Sequence, residues 1–279
     1  MFSRANKKFK KSKKTSSVTI SFSKLMKKEK ANIVSIKQEI IDLSTKSWQE
    51  HIKNLSPLNE TIFDRLKEVS NDLIFADSTG LELSAEKFLT ASILFKDLLK
   101  SEIKTQNVGL LLPSTAAGAF INYSLLLMGK TAVNLNYTSE IESIKQSINE
   151  AKIKTLITSK KFVEKLELKG IILEEVFHML ELNYLEDLKP KISKRKSLLT
   201  FLSVKFLPSI LLKIIHLTKT NKDDTVLILF SSGSEGKPKG VELSGDNILG
   251  NAQQIANIIN VNDEDIMLGS LPLFHAFGI

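Results

Sequence analysis

The 279-residue sequence contains no cysteine, 12 glycines, 6 prolines and 7% aromatic residues. The lack of cysteine excludes disulfides, a thiolate nucleophile and cysteine-ligated zinc, and it favours an intracellular location. A content of 42% hydrophobic and 25% charged residues argues against collagen-like repeats, wholesale disorder and a multi-pass membrane protein. The length suits one large domain or two ordinary ones.

Acidic residues are almost missing from the N-terminus. Residues 1–30 hold eleven Lys or Arg and one acid, Glu29, whereas the rest of the chain holds 28 basic and 30 acidic residues. Because this segment carries a net charge of +10 and the rest of the chain one of −2, nucleic acid is not an expected partner. The basic run at residues 7–14 is either a mobile, solubilising end or a segment attracted to anionic phosphate or lipid surfaces. No apolar core follows it, so a secretion signal is not expected.

Strand-like and helix-like patterns alternate from Thr61 onward, after a helical pattern at residues 33–55 and a short β-like run at 17–22. Strands are predicted at residues 73–76, 108–113, 131–136, 154–159 and 225–230. Helices are predicted at residues 61–69, 84–102, 116–128, 139–151 and 248–259. Short connections between them indicate an α/β fold of mostly parallel βαβ units.

Residues 189–222 contain nine Lys or Arg and no acid. Within them, residues 198–217 form an apolar stretch that is interrupted by Lys205, Pro208 and Lys213. This stretch fits a packed helix kinked at Pro208, or an interfacial helix lying on an anionic membrane. A membrane-spanning helix is the third alternative, although the two lysines and the proline make it costly.

The segment with the most chemical content, SSGSEGKPKG at residues 231–240, follows the predicted strand 225–230. It lies where α/β folds bind ligands, at the carboxyl end of a strand. Glycines allow backbone N–H groups to approach an anion, while serine hydroxyls and lysines add donors and positive charge. The pattern favours a polyphosphate, but its spacing matches neither a P-loop nor a dinucleotide fingerprint. The candidate binding residues are Ser231, Ser232, Gly233, Ser234, Glu235, Gly236, Lys237 and Lys239.

The segment LFSSGSEGKPKGV (residues 229–241) resembles the signature loop of the adenylate-forming, or AMP-binding, synthetases, whose common form is SGSTGxPKG. Residues 109–137 and 268–279 are similar to other parts of that family, in the family's order. The resemblance covers about residues 61–279. It implies the large N-terminal α/β domain of an adenylate-forming enzyme, incomplete at its C-terminus.

One branch of the family is most similar, the bifunctional acyl-[acyl-carrier-protein] synthetase / 2-acylglycerophosphoethanolamine acyltransferases. In that branch a Glu replaces the usual Thr of the loop, as Glu235 does here; its carboxylate either faces away from the phosphates or assists metal binding. The resemblance implies a basic flexible segment at residues 1–30, similar to the end of an upstream acyltransferase domain. A helical linker (31–60) and a truncated AMP-binding synthetase domain (61–279) then follow.

The chemistry that the resemblance implies is a two-step ligation with ATP and Mg²⁺. A long-chain fatty acid is activated as acyl adenylate and passes to the thiol of acyl carrier protein or coenzyme A, with a lysophospholipid as the final acceptor in the whole protein. Residues 231–239 are then expected to hold the β- and γ-phosphates. No metal ligand and no catalytic residue is assigned, apart from a substrate-site role for His275. The acyltransferase pair H-x-x-x-x-D is absent, since none of the histidines at 51, 178, 216 and 275 has Asp five residues later.

Two functions of different class stay open on the sequence. The first is a piece of this ligase, located at the cytoplasmic face of the inner membrane and expected to be inactive alone, because family members continue well beyond the motif at residue 279. The second is a non-catalytic protein that binds nucleotide or an anionic membrane surface through its basic segments. Equilibrium ATP binding and flotation with anionic liposomes separate the two.

Overall fold

The computed structural model describes residues 19–231, 237–259, 262 and 264–275. It divides the chain into two compact units, Met1–Leu55 and Ser56–Ile279. The first unit contains a 3₁₀ turn (Lys28–Lys30) and helix α1 (Ile33–Lys53), which confirms the helical pattern there. Helix α1 begins in a capping box, since Asn32 Oδ1 accepts from the Ser35 N–H at 2.9 Å and Ser35 Oγ accepts from the Asn32 N–H at 3.0 Å. The β-like prediction is wrong for residues 19–22, which form no strand.

The second unit alternates strands and helices. Its strands are β1 (Leu73–Ala76), β2 (Glu82–Ser84), β3 (Asn107–Leu111), β4 (Thr131–Asn134), β5 (Thr155–Thr158), β6 (Glu181–Tyr184), β7 (Thr225–Ser231) and β8 (Lys239–Ser244). Its helices are α2 (Leu58–Glu68), α3 (Ala85–Glu102), α4 (Ala116–Leu127), α5 (Ile141–Glu150), α6 (Lys160–Glu167), α7 (Glu174–Phe177), α8 (Leu185–Leu188), α9 (Lys194–Phe206), α10 (Ser209–His216) and α11 (Gly245–Ile259), with a 3₁₀ turn at Lys189–Lys191.

Six strands form the main sheet, in the order β6-β5-β3-β4-β7-β8. All neighbouring pairs are parallel except the last, in which β8 runs antiparallel to β7. Strands β4 and β5 are buried along their whole length, as expected for parallel strands covered on both faces. The predicted α/β fold with a mostly parallel sheet is therefore confirmed, and β1 and β2 form a separate antiparallel pair.

Apolar side chains from the sheet and its helices form the core. On one face, strand residues such as Leu111, Val133 and Leu156 pack with Ile144 and Ile148 of α5, and α6 and α7 add further apolar residues to the cluster. In a second layer, helix α3 contacts α2, α4 and α9, and α4 also contacts β4. The fully buried side chains of this layer include Phe63, Leu89, Ile93, Ile121 and Leu125.

Local signals explain why the predicted helices begin and end where they do. Helix α3 is capped by Ser84, whose Oγ accepts from the Lys87 N–H at 3.4 Å. Helix α4 is closed by Gly129, two residues after its last residue Leu127, with φ of +67°. The N–H groups of Gly129 and Lys130 donate to the carbonyls of Leu126 and Leu125, and this is the glycine-closed helix end that the sequence predicts.

The apolar stretch at residues 198–217 is not one helix. It is divided between α9 and α10, with Leu207 and Pro208 between them, because proline cannot donate to a continuous helix and restricts the residue before it. A break at Pro208 is compatible with the packed and with the interfacial alternative, and both stay open. Within the part of the chain that the structure describes, we find no helix with the length and apolar character to cross a bilayer.

Candidate active site

The carboxyl ends of β3, β4 and β7 lie at one edge of the sheet. The chain passes from β3 to its neighbour β4 in one direction, and then returns across β3 to reach β5. Such a change of direction opens a crevice beyond the carboxyl ends of parallel strands, where α/β proteins bind ligands. We refer to this region as the carboxyl edge.

Residues 271–275 lie against the carboxyl edge. Ser114 Oγ, in the connection that follows β3, donates to the Leu271 carbonyl at 2.7 Å. The Phe274 ring meets the Tyr137 ring edge-on, with 5.0 Å between centroids, and Tyr137 follows β4. Leu273 packs so close to Gly118 of α4 that an added Cβ would lie 2.6 Å from Leu273 Cδ1. Three separate contacts therefore hold this segment on the connections after β3 and β4.

The β7–β8 hairpin holds both ends of the predicted phosphate loop. Ser231 is the register partner of Lys239, and Ser231 Oγ lies 3.5 Å from the Lys239 carbonyl oxygen. Ser231, Lys237 and Lys239 are all exposed at the carboxyl end of β7. The predicted loop residues between them, Ser232, Gly233, Ser234, Glu235 and Gly236, lie outside the described residues.

Gly240, immediately after Lys239, packs against the Phe230 ring. A Cβ added to Gly240 would lie 3.2 Å from Phe230 Cε1, so the two strands approach closely at this point. Lys239 and Gly240 pair with Ser231 and Phe230 as the last register pairs of the hairpin. The final glycine of the motif thus has a packing role at the base of the loop.

The carboxylate of Asp77 accepts a hydrogen bond at the N-terminus of α4, and the sequence does not predict this contact. Asp77, after β1, accepts a hydrogen bond from the Ala116 N–H at 2.9 Å, and its other oxygen accepts from the Thr79 N–H at 2.9 Å. Burial alone would raise the pKa of Asp77, but the hydrogen bonds from Thr79 and Ala116 outweigh it and hold the pKa below the ordinary value of 3.8. The Asp-Ser-Thr-Gly turn is visible in the sequence, whereas its contact with α4 depends on the tertiary fold.

Asp77→Asn is expected to destabilise the protein by about 1–2 kcal/mol at pH 7, because a charged cap of α4 is lost. Since folding lowers the pKa of Asp77, its contribution to the free energy of unfolding is fully present above about pH 4. The contribution is lost as the pH falls through the pKa of Asp77 in the folded protein. Urea unfolding at pH 7 and pH 3 measures both effects. The exposed Asp72 supplies the control, Asp72→Asn. An equal difference between wild type and Asp77→Asn at both pH values would contradict this assignment.

His275 is exposed and lies next to Phe274 at the carboxyl edge, where its N–H donates to the Pro272 carbonyl at 2.9 Å. This location is compatible with the predicted substrate-site role, which stays a prediction. His216 instead links α10 to α3, with its carbonyl 3.2 Å and its Nδ1 3.4 Å from Lys96 Nζ. Burial and then Lys96 lower the pKa of His216. His51 contacts the Trp48 ring, and His178 ends α7.

The residues present at the carboxyl edge fit a nucleotide polyphosphate. Ser231, Lys237 and Lys239 offer a hydroxyl and two ammonium groups, which are donors for phosphate oxygens. Tyr137 adds a partly buried aromatic side chain. Burial raises the pKa of its hydroxyl, so the side chain is a neutral phenol. Among the residues that the structure describes, no group of three His, Asp or Glu side chains is arranged to hold a metal ion.

The family model for AMP-binding enzyme matches residues 96–279. The chain belongs to the AMP-binding enzyme family. Two curated relatives are a probable 4-coumarate–CoA ligase 2 of Dictyostelium discoideum, 27% identical over 241 residues (80% of this chain), and a medium-chain fatty-acid–CoA ligase of Escherichia coli, 39% identical over 59 residues (21% of this chain). As an AMP-binding enzyme, the chain is similar to acid–thiol ligases that form acyl- or aryl-CoA.

The fold agrees with that of solved AMP-binding enzymes. O-succinylbenzoate coenzyme A synthetase of Bacillus subtilis, solved in complex with ATP and magnesium ion, superposes with a TM-score of 0.60 at 20% identity, over 78% of this chain and 52% of that one. This chain spans 42% of the Dictyostelium relative and 10% of the E. coli relative. The shared fold is that of the N-terminal part of an adenylate-forming enzyme.

Proposed function

We propose that this chain carries the ATP-binding part of an AMP-forming acid–thiol ligase. The observation that carries the proposal is the arrangement at the carboxyl edge. There the ends of the loop between β7 and β8 present Ser231, Lys237 and Lys239, and residues 271–275 contact the connections after β3 and β4. Membership of the AMP-binding enzyme family supports the same chemistry.

In the first proposed step, an oxygen of the substrate carboxylate forms a bond to the α-phosphorus of ATP. The bond from that phosphorus to the oxygen bridging to the β-phosphorus breaks, and pyrophosphate leaves with the electron pair. Residues 231–239 bind the β- and γ-phosphates and stabilise the charge that develops on the leaving group. Magnesium, when bound, neutralises phosphate charge. In the second step a thiol sulfur attacks the acyl carbon, AMP leaves, the thiol proton goes to solvent, and a thioester forms.

The proposed acid is a long-chain fatty acid, and the proposed thiol is that of acyl carrier protein, with coenzyme A as the alternative. The local identity with a fatty-acid–CoA ligase supports a fatty acid, whereas the Dictyostelium relative is named for coumarate. We further propose that the whole protein reacylates lysophospholipids at the cytoplasmic face of the inner membrane. The resemblance of residues 1–30 to the end of an acyltransferase domain supports that extension.

Two measurements test the ligase proposal. Calorimetric titration with ATP and Mg²⁺ is expected to show saturable binding to the 279-residue chain. Pyrophosphate release from this chain is expected to be absent even with a fatty acid, because the chain spans 42% of the Dictyostelium relative. A longer product of the same gene is expected to release pyrophosphate only when a carboxylic acid is added. No ATP binding by the chain, or release that is independent of acid, would contradict the proposal.

A non-catalytic protein that binds an anionic membrane surface is the second candidate function. The exposed apolar residues on α9 and α10, beside basic residues, favour it. In that case vesicle binding occurs without ATP binding, and no carboxylic acid stimulates pyrophosphate release from any longer gene product. The ligase proposal instead requires ATP binding and acid-stimulated pyrophosphate release, and it is compatible with vesicle binding.

A further inference from the structure

Helices α9 and α10 expose an unusual number of large apolar side chains. On α9 these residues recur at spacings of three and four, which places them on one side of the helix, and α10 repeats the pattern. The residues are Leu198, Leu199, Leu202 and Phe206 on α9, and Ile210, Leu211, Ile214 and Ile215 on α10. We call this set the α9–α10 surface. Clusters of this kind on a folded domain mark sites of interaction.

Contacts on the opposite sides of both helices fix this orientation. Val204 of α9 is 1% exposed and Leu212 of α10 is buried, and α9 contacts α3 while α10 contacts α2. On the inner side of α10, Ser209 Oγ donates to Asp64 Oδ1 at 2.7 Å and Lys213 Nζ donates to Asp64 Oδ2 at 3.0 Å. The α9–α10 surface therefore faces away from the helices that hold it.

The segment that carries the surface has basic residues and no acidic ones. Residues 189–222 contain no Asp or Glu. The acids of the neighbouring helices already pair with other basic residues of this region, since Asp97 lies 3.4 Å from Lys196 and Glu102 lies 3.3 Å from Lys191. Exposed basic side chains at Lys194, Arg195 and Lys205 are thus positioned beside exposed apolar ones.

We propose that the α9–α10 surface is a docking site for an anionic lipid surface. Large apolar side chains with Lys and Arg beside them are the features of segments that lie in the membrane interface, with the apolar groups among the acyl chains and the cations at the headgroups. Charge complementarity selects lipid rather than a second copy of the chain, because two copies would bring the same basic residues together. The docking does not depend on ATP or on ligase activity. A negative result for docking is therefore distinct from a negative result for the proposed function.

The absence of cysteine allows a direct test on the full chain. A single cysteine is introduced by Ile210→Cys and labelled with an environment-sensitive fluorophore. The matched control is Leu168→Cys, at the end of α6, where Leu168 is 89% exposed and outside the α9–α10 surface. Vesicles of phosphatidylcholine with about one third phosphatidylglycerol are expected to shift the emission of the label at 210 to shorter wavelength and to leave the label at 168 unchanged.

A second pair of variants measures affinity by vesicle sedimentation. Phe206→Ser combined with Ile214→Ser is expected to weaken partitioning about ten-fold or more, because two exposed apolar side chains no longer enter the interface. Leu168→Ser combined with Ile172→Ser removes exposed apolar residues elsewhere and is expected to have no effect. Both pairs change exposed positions, and circular dichroism verifies that they fold.

Three results would overturn the proposal. The first is sedimentation with vesicles but no spectral shift at 210, which assigns binding to another segment such as the basic residues 1–30. The second is an equal shift at 210 and 168. The third is a shift at 210 that follows protein concentration without vesicles, which means that a second copy covers the surface.

Discussion

Lys239→Ala is expected to weaken the binding of ATP about ten-fold or more, because one charge-assisted hydrogen bond to phosphate contributes about 1.5–3 kcal/mol. Lys239 is exposed, begins β8 and is paired with Ser231 at the point where the hairpin meets the predicted phosphate loop. The substitution removes positive charge without removing a packed side chain, so the midpoint of thermal unfolding is expected to stay unchanged. Calorimetric titration with ATP and Mg²⁺ measures the difference in dissociation constant.

The matched control for Lys239 is Lys154→Ala. Lys154 is also an exposed lysine, but it precedes β5 and therefore lies at the amino edge of the same sheet. Its replacement changes the net charge of the protein by the same amount and is expected to leave ATP affinity unaltered. Equal losses in the two variants would show that the effect comes from net charge alone. No loss in Lys239→Ala would contradict the phosphate-binding role.

Gly118→Ala is expected to destabilise the protein by about 1–3 kcal/mol, although alanine is intrinsically the better helix former by about 1 kcal/mol. The reason is that a Cβ at this position would lie 2.6 Å from the Pro113 carbonyl oxygen and 2.6 Å from Leu273 Cδ1. The backbone oxygen cannot rotate away as a side chain can. Urea unfolding therefore tests the sign of the change as well as its size.

The same substitution is expected to loosen residues 271–275 from the carboxyl edge. Chymotrypsin cleavage after Phe274 then becomes faster, because the Tyr137–Phe274 ring contact depends on the position of Leu273. Gly269→Ala is the control, since an added Cβ there meets no atom within 4 Å. A more stable Gly118→Ala protein, cleaved at the wild-type rate, would mean that α4 and the 271–275 segment are not packed as described.

The parts of the fold that the sequence predicts are those with strong local signals. Strand β3 contains a continuous apolar run, and α3 and α4 carry a serine cap and a glycine end. Strands β6 and β8 were missed because edge strands are half covered and lack such runs. The first two residues of β8, Lys239 and Gly240, also belong to the loop motif, which hides the strand pattern. The alternatives left open for residues 198–217 depended on tertiary contacts with α2 and α3.

The sequence predicts a phosphate-binding loop after a buried strand, but it does not predict all the residues that meet at the site. The position of residues 231–240 after a buried strand follows from sequence order alone, and the structure places Ser231 and Lys239 opposite each other. The contact of Ser114 with Leu271 joins residues far apart in the chain, so no local pattern reveals it. Asp77 was missed for the same reason, since its partner Ala116 lies on another element. The predicted domain boundaries stay predictions.

Hydrogen–deuterium exchange of the 279-residue chain, with and without ATP and Mg²⁺, tests most directly the claim that the carboxyl edge is the nucleotide site. We expect slower exchange in peptides that cover residues 225–244 and 271–275 when ATP is present. Exchange in α9, in α10 and in peptides from the amino edge of the sheet is expected to stay unchanged. Protection confined to other regions, or no protection of residues 225–244 at saturating ATP, would contradict the account.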